Sequence, residues 1–239
     1  MACGTKAEVV STPAPRPINS TGFNRSPFPL SAGLPMPARM SDVPLTFETL
    51  AGPALHPQLP DLARLRTTVF REWPYLYEGD DAYERGYLRS YAEAPGAAVI
   101  VCRDGDAVVG AATCEPMVQG HAPVQASFRA AGLDPSDFCY FGESVLLSRY
   151  RGRGAGVRFF TEREAHAHRL GLRFATFCGV QRDESDPRRP AGYTQLDAFW
   201  RRRGYAKRAD LTVSLDWKEV GATAETPHLL TFWIKDLGA

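Results

Sequence analysis

The stretch from Arg149 to Phe160, which reads RYRGRGAGVRFF, constrains the fold of this chain more than any other. Three glycines fall within five positions, and two phenylalanines follow soon after them. Glycine in the interior of a helix costs roughly 0.5–1 kcal/mol relative to alanine, so such a cluster serves a special backbone requirement. The preceding run FCYFGESVLL is typical of a strand, and the following residues are typical of a helix that Leu170 and Gly171 close. The sequence therefore predicts a strand, a glycine-rich turn and a helix.

A glycine-rich turn that opens a helix predicts an anion site. The first backbone N–H groups of a helix have no partners inside the helix, and the helix dipole adds positive character there. Arg151 and Arg153 add guanidinium donors, which suit a pyrophosphate. The stretch is neither a P-loop, since no lysine follows the glycines, nor a dinucleotide fingerprint, since Val157 takes the place of the third glycine. The side of the predicted helix that we expect to pack on the sheet carries Val157, Phe160, Ala167 and Leu170.

Composition and charge limit the classes of function. The 239 residues include 28 Lys and Arg against 27 Asp and Glu, and a formal net charge of +1 gives no field that recruits nucleic acid. No apolar run approaches the roughly 20 residues of a membrane span, and the N-terminus lacks the apolar segment of a secretory signal. The five cysteines contain no CxxC pair, which favours a reducing compartment. His166 and His168 stand two apart on a helix, so we predict no metal site. We expect a cytoplasmic protein.

The first 45 residues differ from the rest of the chain. They are rich in proline and small polar residues and have no periodic apolar pattern, which predicts a disordered leader. This leader is either an organelle targeting segment or the result of an assigned start that lies too far upstream, since Met36 and Met40 stand close to the ordered sequence. Residues 46–239 form the predicted domain.

The rest of the chain alternates between helical and strand patterns. Apolar residues at helical spacing predict helices in LPDLARLRTTVFREW, DDAYERGYLRSYAEA and YTQLDAFWRRRGY. The runs LTFETL, RFATFCGV, DLTVSLDW and HLLTFWIKDL are typical of strands, and RDGD joins two further strands as a hairpin. This order predicts an α/β (α+β) fold with a mixed, largely antiparallel central sheet flanked by helices.

The motif Arg151-x-x-Gly154-x-Gly156 resembles the acyl-CoA pyrophosphate loop of the GNAT superfamily of N-acetyltransferases, whose pattern is [Q/R]xxGx[G/A]. SVLLSRYRGRGAGVRFFTEREAHAHRLG resembles the strand, loop and helix of that family, and LDAFWRRRGYAKR resembles its later segment, in which a helix ends in Gly-[Phe/Tyr]. The resemblance covers about residues 46–239 and is to a bacterial-type branch. It implies a GNAT-like sheet in which two strands, here residues 141–147 and 173–180, splay apart to hold acyl-CoA.

The resemblance implies an acetyl-CoA-dependent N-acetyltransferase. In that family a primary amine of a small molecule or a protein attacks the thioester directly. The donor-binding residues that the resemblance implies are Leu146 and Leu147, whose backbone N–H groups are candidate oxyanion donors, and the phosphate cradle of Arg151, Gly152, Arg153, Gly154, Ala155, Gly156 and Val157. A homodimer is compatible with this reading.

Three residues are candidates for proton transfer. Glu143 is the candidate general base, because it is the carboxylate inside the strand expected to face the thioester. The alternative is that Glu143 pairs with an arginine at the cleft edge. The family often has a tyrosine as general acid where this chain has Trp200, so Tyr193 and Tyr205 are the candidate acids. The alternative function is a binding module that keeps the acyl-CoA cradle without catalysis.

The segment REWPYLYEGDDAYE lies where the first helices of the family wall the acceptor pocket. Its aromatic residues are Trp73, Tyr75 and Tyr77, and its carboxylates include Glu78, Asp80 and Asp81. Such a wall would hold a cationic amine by cation–π contact and by charge. The alternative is that the aromatic residues pack two helices together while the acids lie in solvent.

Overall fold

The computed structural model describes residues 44–238. Its strands are β1 (Thr46–Leu50), β2 (Ala98–Asp104), β3 (Ala107–Pro116), β4 (Phe138–Tyr140), β5 (Ser144–Leu146), β6 (Phe174–Val180), β7 (Ala206–Lys218) and β8 (Glu225–Asp236). Its helices are α1 (Leu59–Phe70), α2 (Asp81–Glu93), α3 (Ala122–Ala130), α4 (Ala155–Arg169) and α5 (Asp197–Arg202). The predicted leader, residues 1–45, lies outside the described residues except for its last two. Within residues 44–238, no helix is both long and apolar enough to span a bilayer.

The strands form one sheet in the order β1-β2-β3-β4-β6-β8-β7, and β5 pairs with β3. Every pairing is antiparallel except that of β4 with β6, which is parallel. The predicted mixed, largely antiparallel sheet is confirmed. The predicted hairpin is also present, since β2 and β3 are joined through Gly105, which has a φ of 59°.

Alternate residues of β2 face two separate apolar cores, because successive side chains of a strand point to opposite faces. Ala98, Ile100 and Cys102 pack on the side of α4. Val99 and Val101 pack on the side of α1 and α2. The sheet therefore has helices on both faces, which explains why the run AAVIVC is apolar without a polar alternation.

The run FCYFGESVLL, predicted as one strand, is divided into β4 and β5. β4 pairs with β6, and the last bond between them is from the Phe141 N–H to the Thr176 carbonyl, at 2.8 Å. At the break stands Gly142, where a Cβ would lie only 2.3 Å from the Tyr91 hydroxyl oxygen. β5 then pairs with β3 alone, while β6 continues to Val180 beside β8. A gap therefore opens between β5 and β6, as the family resemblance implies.

The face of α4 that packs on the sheet differs from the predicted one. Its buried side chains are Ala155, Phe159, Phe160, Arg163 and Ala167. The prediction is right for Phe160 and Ala167 but wrong for Val157 and Leu170, which are 44% and 37% exposed. Val157 is exposed because it stands in the first turn of α4 and lines the gap between β5 and β6.

Helix α3 is not predicted from the sequence. Only Val124 and Phe128 of this helix are buried, so the segment lacks a long apolar stripe. Phe128 packs edge-on against Phe138 and Phe232, with ring centroids 4.8 and 4.9 Å away. α3 thereby covers the sheet at β4 and β8.

Candidate active site

The turn between β5 and α4 has a backbone that glycine adopts more easily than other residues. Gly152 has a φ of 78° and Gly154 a φ of 83°, in the left-handed region that L-residues disfavour. No atom of the described residues lies within 4 Å of the Cβ position at either glycine. Gly156 lies inside α4 without a positive φ, and a Cβ there would meet the Phe199 ring at an ordinary 3.6 Å. The first two glycines therefore shape the turn.

Helix α4 begins with backbone donors that have no partner within the helix. Its N-cap is Gly154, which provides no capping side chain, and the first turn carries no acidic residue. The first helical hydrogen bond is donated by the Arg158 N–H to the Gly154 carbonyl at 3.1 Å. The N–H groups of Ala155, Gly156 and Val157 therefore remain for an external acceptor at the positive end of the helix dipole. This arrangement fits a phosphate group.

Two arginines flank the turn. The Arg151 guanidinium donates to the Leu146 carbonyl at 3.2 Å and pairs with Glu72, just beyond α1, at 2.6 Å. Arg153 lies over the ring of Tyr150, 5.8 Å from its centroid. Arg151 thus connects the turn with the segment after α1, and both arginines place positive charge near the N-terminus of α4.

The open edge of β5 presents backbone donors to the gap. In an antiparallel pair, residues whose N–H groups face the partner strand alternate with residues whose N–H groups face away. The Leu147 N–H donates to the Val109 carbonyl of β3 at 3.0 Å, so it is not available to a ligand. Leu146 stands opposite Gly110 and therefore turns its N–H into the gap, as does Ser144. The expectation for Leu147 is corrected, whereas Leu146 is placed to donate.

A cleft of about 1110 Å³ follows the gap between β5 and β6. One end, here called the turn end, is lined by Leu146, Arg151, Gly152, Gly154, Gly156 and Val157. The opposite end, here called the aromatic end, is lined by Phe70, Trp73, Tyr75, Glu143, Cys178 and Tyr193. Of the other residues predicted to bind the donor, Arg153 and Ala155 line a neighbouring pocket beside Phe47.

Glu143 lies in the connection between β4 and β5, at the aromatic end, and is only 9% exposed. Its carboxylate forms an ion pair with Arg66 of α1 and accepts a hydrogen bond from the Tyr87 hydroxyl at 2.9 Å. Arg66 also donates to Glu84 of α2 at 2.5 Å. Burial alone would lower the pKa of Arg66, but the charges of Glu143 and Glu84 raise it. Glu143 is thus both a carboxylate in the cleft and the partner of an arginine.

A further buried acid stands behind Glu143. Glu115 of β3 does not line the cleft, and its pKa is raised to about 7, first by burial and then by the charge of Glu143. The Tyr87 hydroxyl lies 3.1 Å from that of Tyr91, so polar groups continue from Glu143 toward this side of the sheet. Protonation of Glu115 near neutral pH removes one negative charge from a region with little access to water.

Sequence reasoning missed Arg66, Glu84 and Glu115. A signal was present for the first two, because each lies on the apolar side of its helix. Arg66 stands four residues after Leu62, and Glu84 stands four residues before Leu88. A charged residue on a buried helical stripe needs a partner of opposite charge. The sequence does not show that the two helices bring these charges together.

The two candidate acids occupy different places. Tyr193 is half-buried at the aromatic end, edge-on to Trp73 with ring centroids 6.1 Å apart, and burial raises its pKa. Tyr205 is buried in the core and donates to Glu164 of α4 at 3.1 Å. The structure therefore brings Glu143 and Tyr193 to one cleft and leaves Tyr205 outside it. Trp200, at the position where the family often has tyrosine, also lines the cleft.

The aromatic residues of the segment after α1 are divided between cleft and core. Trp73 and Tyr75 line the cleft, as the family resemblance implies for an acceptor wall. Tyr75 packs edge-on against Phe70, with ring centroids 4.8 Å apart. Tyr77 is only 8% exposed and belongs to the core under the sheet, so it is not part of the wall.

The acids of the same segment do not line the cleft. Glu78 pairs with Lys218 at 2.9 Å. Asp80 accepts a hydrogen bond from the first turn of α2, which it caps, and Asp81 pairs with Arg85 at 2.9 Å. The expectation that these carboxylates face an acceptor is therefore corrected, and Glu143 is the acid that lies at this wall.

Arg182, in the loop after β6, fixes the wall in place. It donates to the carbonyls of Pro74 and Tyr75 at 2.6 and 2.9 Å and pairs with Glu219 at 2.5 Å. These bonds hold a segment in which Leu76 has a φ of 52°, a conformation that favours glycine. No sequence pattern indicates this contact, because QRDES is typical of an exposed loop.

Known proteins share this architecture. The model of the acetyltransferase (GNAT) family matches residues 62–191, which run from α1 to the loop after β6. The N-acetyltransferase of Staphylococcus aureus Mu50 is 13% identical, with a TM-score of 0.53 over 82% of this chain and 100% of that chain. The ribosomal-protein-alanine N-acetyltransferase of Brucella melitensis is 18% identical, with a TM-score of 0.51 over 75% of this chain and 94% of that chain. At these identities the likeness shows the fold alone. No curated protein sequence matches the chain.

Proposed function

Because the chain belongs to the acetyltransferase (GNAT) family, we propose that it transfers the acetyl group of acetyl-CoA to the nitrogen of a primary amine. The family uses acetyl-CoA as its donor. One observation carries the proposal: a single cleft joins the glycine turn and the open edge of β5 to a carboxylate, Glu143. These are an anion site, a row of backbone donors and a proton acceptor in the order that the reaction needs.

The turn end fits the donor on chemical grounds. The free N–H groups of the first turn of α4, the open space above Gly152 and Gly154, and the charges of Arg151 and Arg153 suit a pyrophosphate. The N–H groups of Ser144 and Leu146 face the gap, where an amide-containing arm such as pantetheine finds hydrogen-bond donors. Acetyl-CoA bound there supplies an activated thioester.

The aromatic end supplies the groups that move protons. Glu143 takes a proton from the incoming ammonium, directly or through a water, which frees the nitrogen lone pair. The nitrogen bonds to the acetyl carbon, the carbon–sulfur bond breaks, and the departing thiolate takes a proton from the Tyr193 hydroxyl. The acylated nitrogen then loses its second proton, which restores the Tyr193 hydroxyl by way of water, and Glu143 releases its proton to solvent. The Leu146 N–H donates to the thioester oxygen as negative charge develops there. The products are the acetylated amine and the free thiol of CoA.

Release of the CoA thiol from acetyl-CoA, measured with and without a primary amine, tests this proposal. We expect amine-dependent release by the wild-type protein and about a hundredfold fall in kcat for Glu143→Gln, the usual size of a general-base effect. Glu78→Gln is the matched control, because Glu78 pairs with Lys218 away from the cleft. Amine-dependent release that survives in Glu143→Gln would remove Glu143 from the mechanism.

The same measurement decides on the alternative function. A protein that binds acetyl-CoA but releases no thiol with any amine, and forms no acetylated product, would be an acyl-CoA-binding module. Such a result would be explained by Trp200, which lines the cleft at the position where the family often has a tyrosine as general acid.

A further inference from the structure

Residues 141–143, which connect β4 and β5, form a bulge opposite β3. Tyr140 of β4 pairs with Glu115, and Ser144 of β5 pairs with Ala112. Three residues therefore stand between the paired positions on one side, whereas only two stand between them on β3. A bulge of this kind interrupts the ladder and changes the direction of a side chain. The last residue of the bulge is the one whose carboxylate lies at the aromatic end of the cleft.

The backbone of the bulge has an irregular hydrogen bond to β3. In a regular antiparallel ladder, Thr113 and Glu143 would exchange two bonds, each donating its N–H to the carbonyl of the other. The Thr113 N–H does donate to the Glu143 carbonyl, at 3.0 Å. The Glu143 N–H donates instead to the Thr113 hydroxyl oxygen, at 3.1 Å. The Thr113 carbonyl thus lacks its donor from the facing strand, and a buried carbonyl needs another one.

Arg163 of α4 supplies that donor. Its Nη1 donates to the Thr113 carbonyl at 3.4 Å and to the Glu143 carbonyl at 3.2 Å. Its Nε donates to the Phe159 carbonyl, one turn earlier in the helix, at 3.2 Å. All three of the hydrogen bonds that Arg163 donates within residues 44–238 end on backbone carbonyls. Arg163 therefore bridges β3 and the bulge at the point where the ladder bond is missing.

The guanidinium of Arg163 is enclosed by the interior. The residue is only 2% exposed, and its guanidinium carbon lies 4.3 Å from the ring centroid of Phe141 and 4.9 Å from that of Phe160. Burial lowers the pKa of Arg163, yet arginine keeps its charge in proteins. Burying a charge is costly unless it is hydrogen-bonded. An arginine at this position is therefore explained by the carbonyls that it binds and not by the space that it fills.

Glu143 is bound from both faces of the sheet. Arg66, on the side of α1 and α2, pairs with its carboxylate. Arg163, on the side of α4, donates to its carbonyl. The first contact holds the end of the side chain, and the second holds the backbone from which the side chain extends.

We propose that Arg163 is a positioning residue for acetyl transfer: it holds the bulge so that the Glu143 carboxylate faces the reacting amine. This inference rests on the proposed function for its reaction. A misplacement of about 1 Å can cost about a hundredfold in rate, so a residue that does not touch the substrate can control kcat. The N-terminus of α4 begins about two turns before Arg163, so the donor site does not depend on this contact.

Arg163→Met and Arg169→Met test the proposal as a matched pair. Methionine is a long side chain without donors, and Arg169 is an exposed arginine of the same helix. We expect Arg163→Met to lower kcat for thiol release by at least about tenfold and to keep the calorimetric affinity for acetyl-CoA within about threefold of wild type. Arg169→Met should change neither quantity. A wild-type kcat in folded Arg163→Met would overturn the proposal.

The same substitution in the Glu143→Gln protein separates a positioning role from a general structural one. If Arg163 acts through Glu143, Arg163→Met should lower kcat little further once the carboxylate is gone, because the effects of two residues that act as a unit do not add. The acetylated amine, detected by mass spectrometry, measures the slow residual reaction. Equal fold-losses in both backgrounds would overturn the proposal and make Arg163 a residue of the core alone.

Arg163→Lys keeps the test valid if methionine at this position prevents folding. Lysine retains the charge and can donate to a carbonyl, but it lacks the fork that spans two acceptors. We expect a smaller loss of kcat, about threefold to tenfold, that again disappears in the Glu143→Gln background. A loss of the same size in both backgrounds would contradict the positioning role.

Amide hydrogen exchange distinguishes failure of this inference from failure of the proposed function. We expect residues 141–147 to exchange at least about tenfold faster in Arg163→Met, or in Arg163→Lys if the first does not fold, while β7 and β8 exchange as in wild type. If exchange changes in this way but wild type releases no thiol with any amine, the proposed function fails and Arg163 only holds the bulge. If wild type releases thiol and neither exchange nor kcat changes in the variants, acetyl transfer stands and this inference is wrong.

Discussion

The two ends of the cleft are built in different ways. The turn end is made mostly of backbone: two glycines with positive φ, the first N–H groups of α4 and the open edge of β5. The aromatic end is made of side chains from α1, α2, the β4–β5 connection and two loops. The first end needs correct local geometry, whereas the second needs several distant segments to fold together.

The two ends of the cleft also differ in whether their charged side chains are exposed or buried. At the turn end the positive charges of Arg151 and Arg153 stand near solvent, and the backbone provides most of the anion site. At the aromatic end four ionised side chains, Arg66, Arg163, Glu84 and Glu143, lie in the interior. Removing one member of a set of buried charges leaves the others unpaired, so loss of Arg66 should affect folding, whereas substitutions at the turn end should affect binding.

Arg66→Met should have the largest effect on stability. It leaves Glu84 and Glu143 without the ion-pair partner that they share, and removing one partner of a buried ion pair usually costs about 3–5 kcal/mol. Urea unfolding measures this loss. Arg64→Met is the matched control, because its pair with Asp61 is exposed, and we expect a change of about 0.5 kcal/mol or less. Equal losses in the free energy of unfolding would show that the buried ion pairs of Arg66 contribute no more to stability than an exposed pair.

Glu115 should give the aromatic end a pH-dependent stability. Its pKa rises from 4.5 to about 7 on folding, so between these values the folded protein holds a proton that the unfolded chain releases. The free energy of unfolding therefore falls as pH rises through this window, by about 3 kcal/mol in total.

Glu115→Gln tests this dependence, because glutamine does not titrate. Urea unfolding of both proteins from pH 5 to pH 8 should show a stability difference that favours the variant increasingly as pH rises. Carboxylates remote from Glu115 contribute alike to both proteins, so the difference reports on Glu115 and its immediate surroundings. A difference that does not change with pH would contradict the assigned pKa.

Tyr193→Phe and Tyr205→Phe compare a hydroxyl in the cleft with one in the core. We expect about a hundredfold fall in kcat for Tyr193→Phe, the usual size of a general-acid effect. Tyr205→Phe should leave kcat unchanged and lower the free energy of unfolding by about 1 kcal/mol, because it loses the bond to Glu164. A fall in kcat for Tyr205→Phe alone would make Tyr205, and not Tyr193, the candidate general acid.

The sequence predicted the turn end well because its information is local. Glycine spacing indicated the turn, and the apolar pattern after it indicated α4. The strand, helix and hairpin patterns were sufficient for the mixed sheet. The division of FCYFGESVLL at Gly142 has no local signal that we recognised, and the Tyr91 hydroxyl that lies close to Gly142 belongs to a helix far away in the sequence.

The aromatic end could be predicted only in part. Trp73 and Tyr75 were expected at the acceptor wall, yet the acids beside them turn to Lys218, Arg85 and the start of α2. The ion pairs of Arg66 and the bonds of Arg182 join residues that are 18 to 108 positions apart. Patterns in one sequence carry no information on which of many arginines and acids meet at such distances.

Calorimetric titration of acetyl-CoA tests whether the glycine turn and the N-terminus of α4 form the donor site. The variants are Gly154→Glu and Gly171→Glu, because both glycines have positive φ, 83° and 69°, and open space at the Cβ position. Both variants bear the same backbone strain, but only Gly154→Glu puts a carboxylate at the N-terminus of α4. We expect wild type and Gly171→Glu to bind acetyl-CoA alike, and we expect Gly154→Glu to lose at least about a hundredfold in affinity. Equal binding by all three proteins, or no binding by the folded wild type, would contradict this expectation.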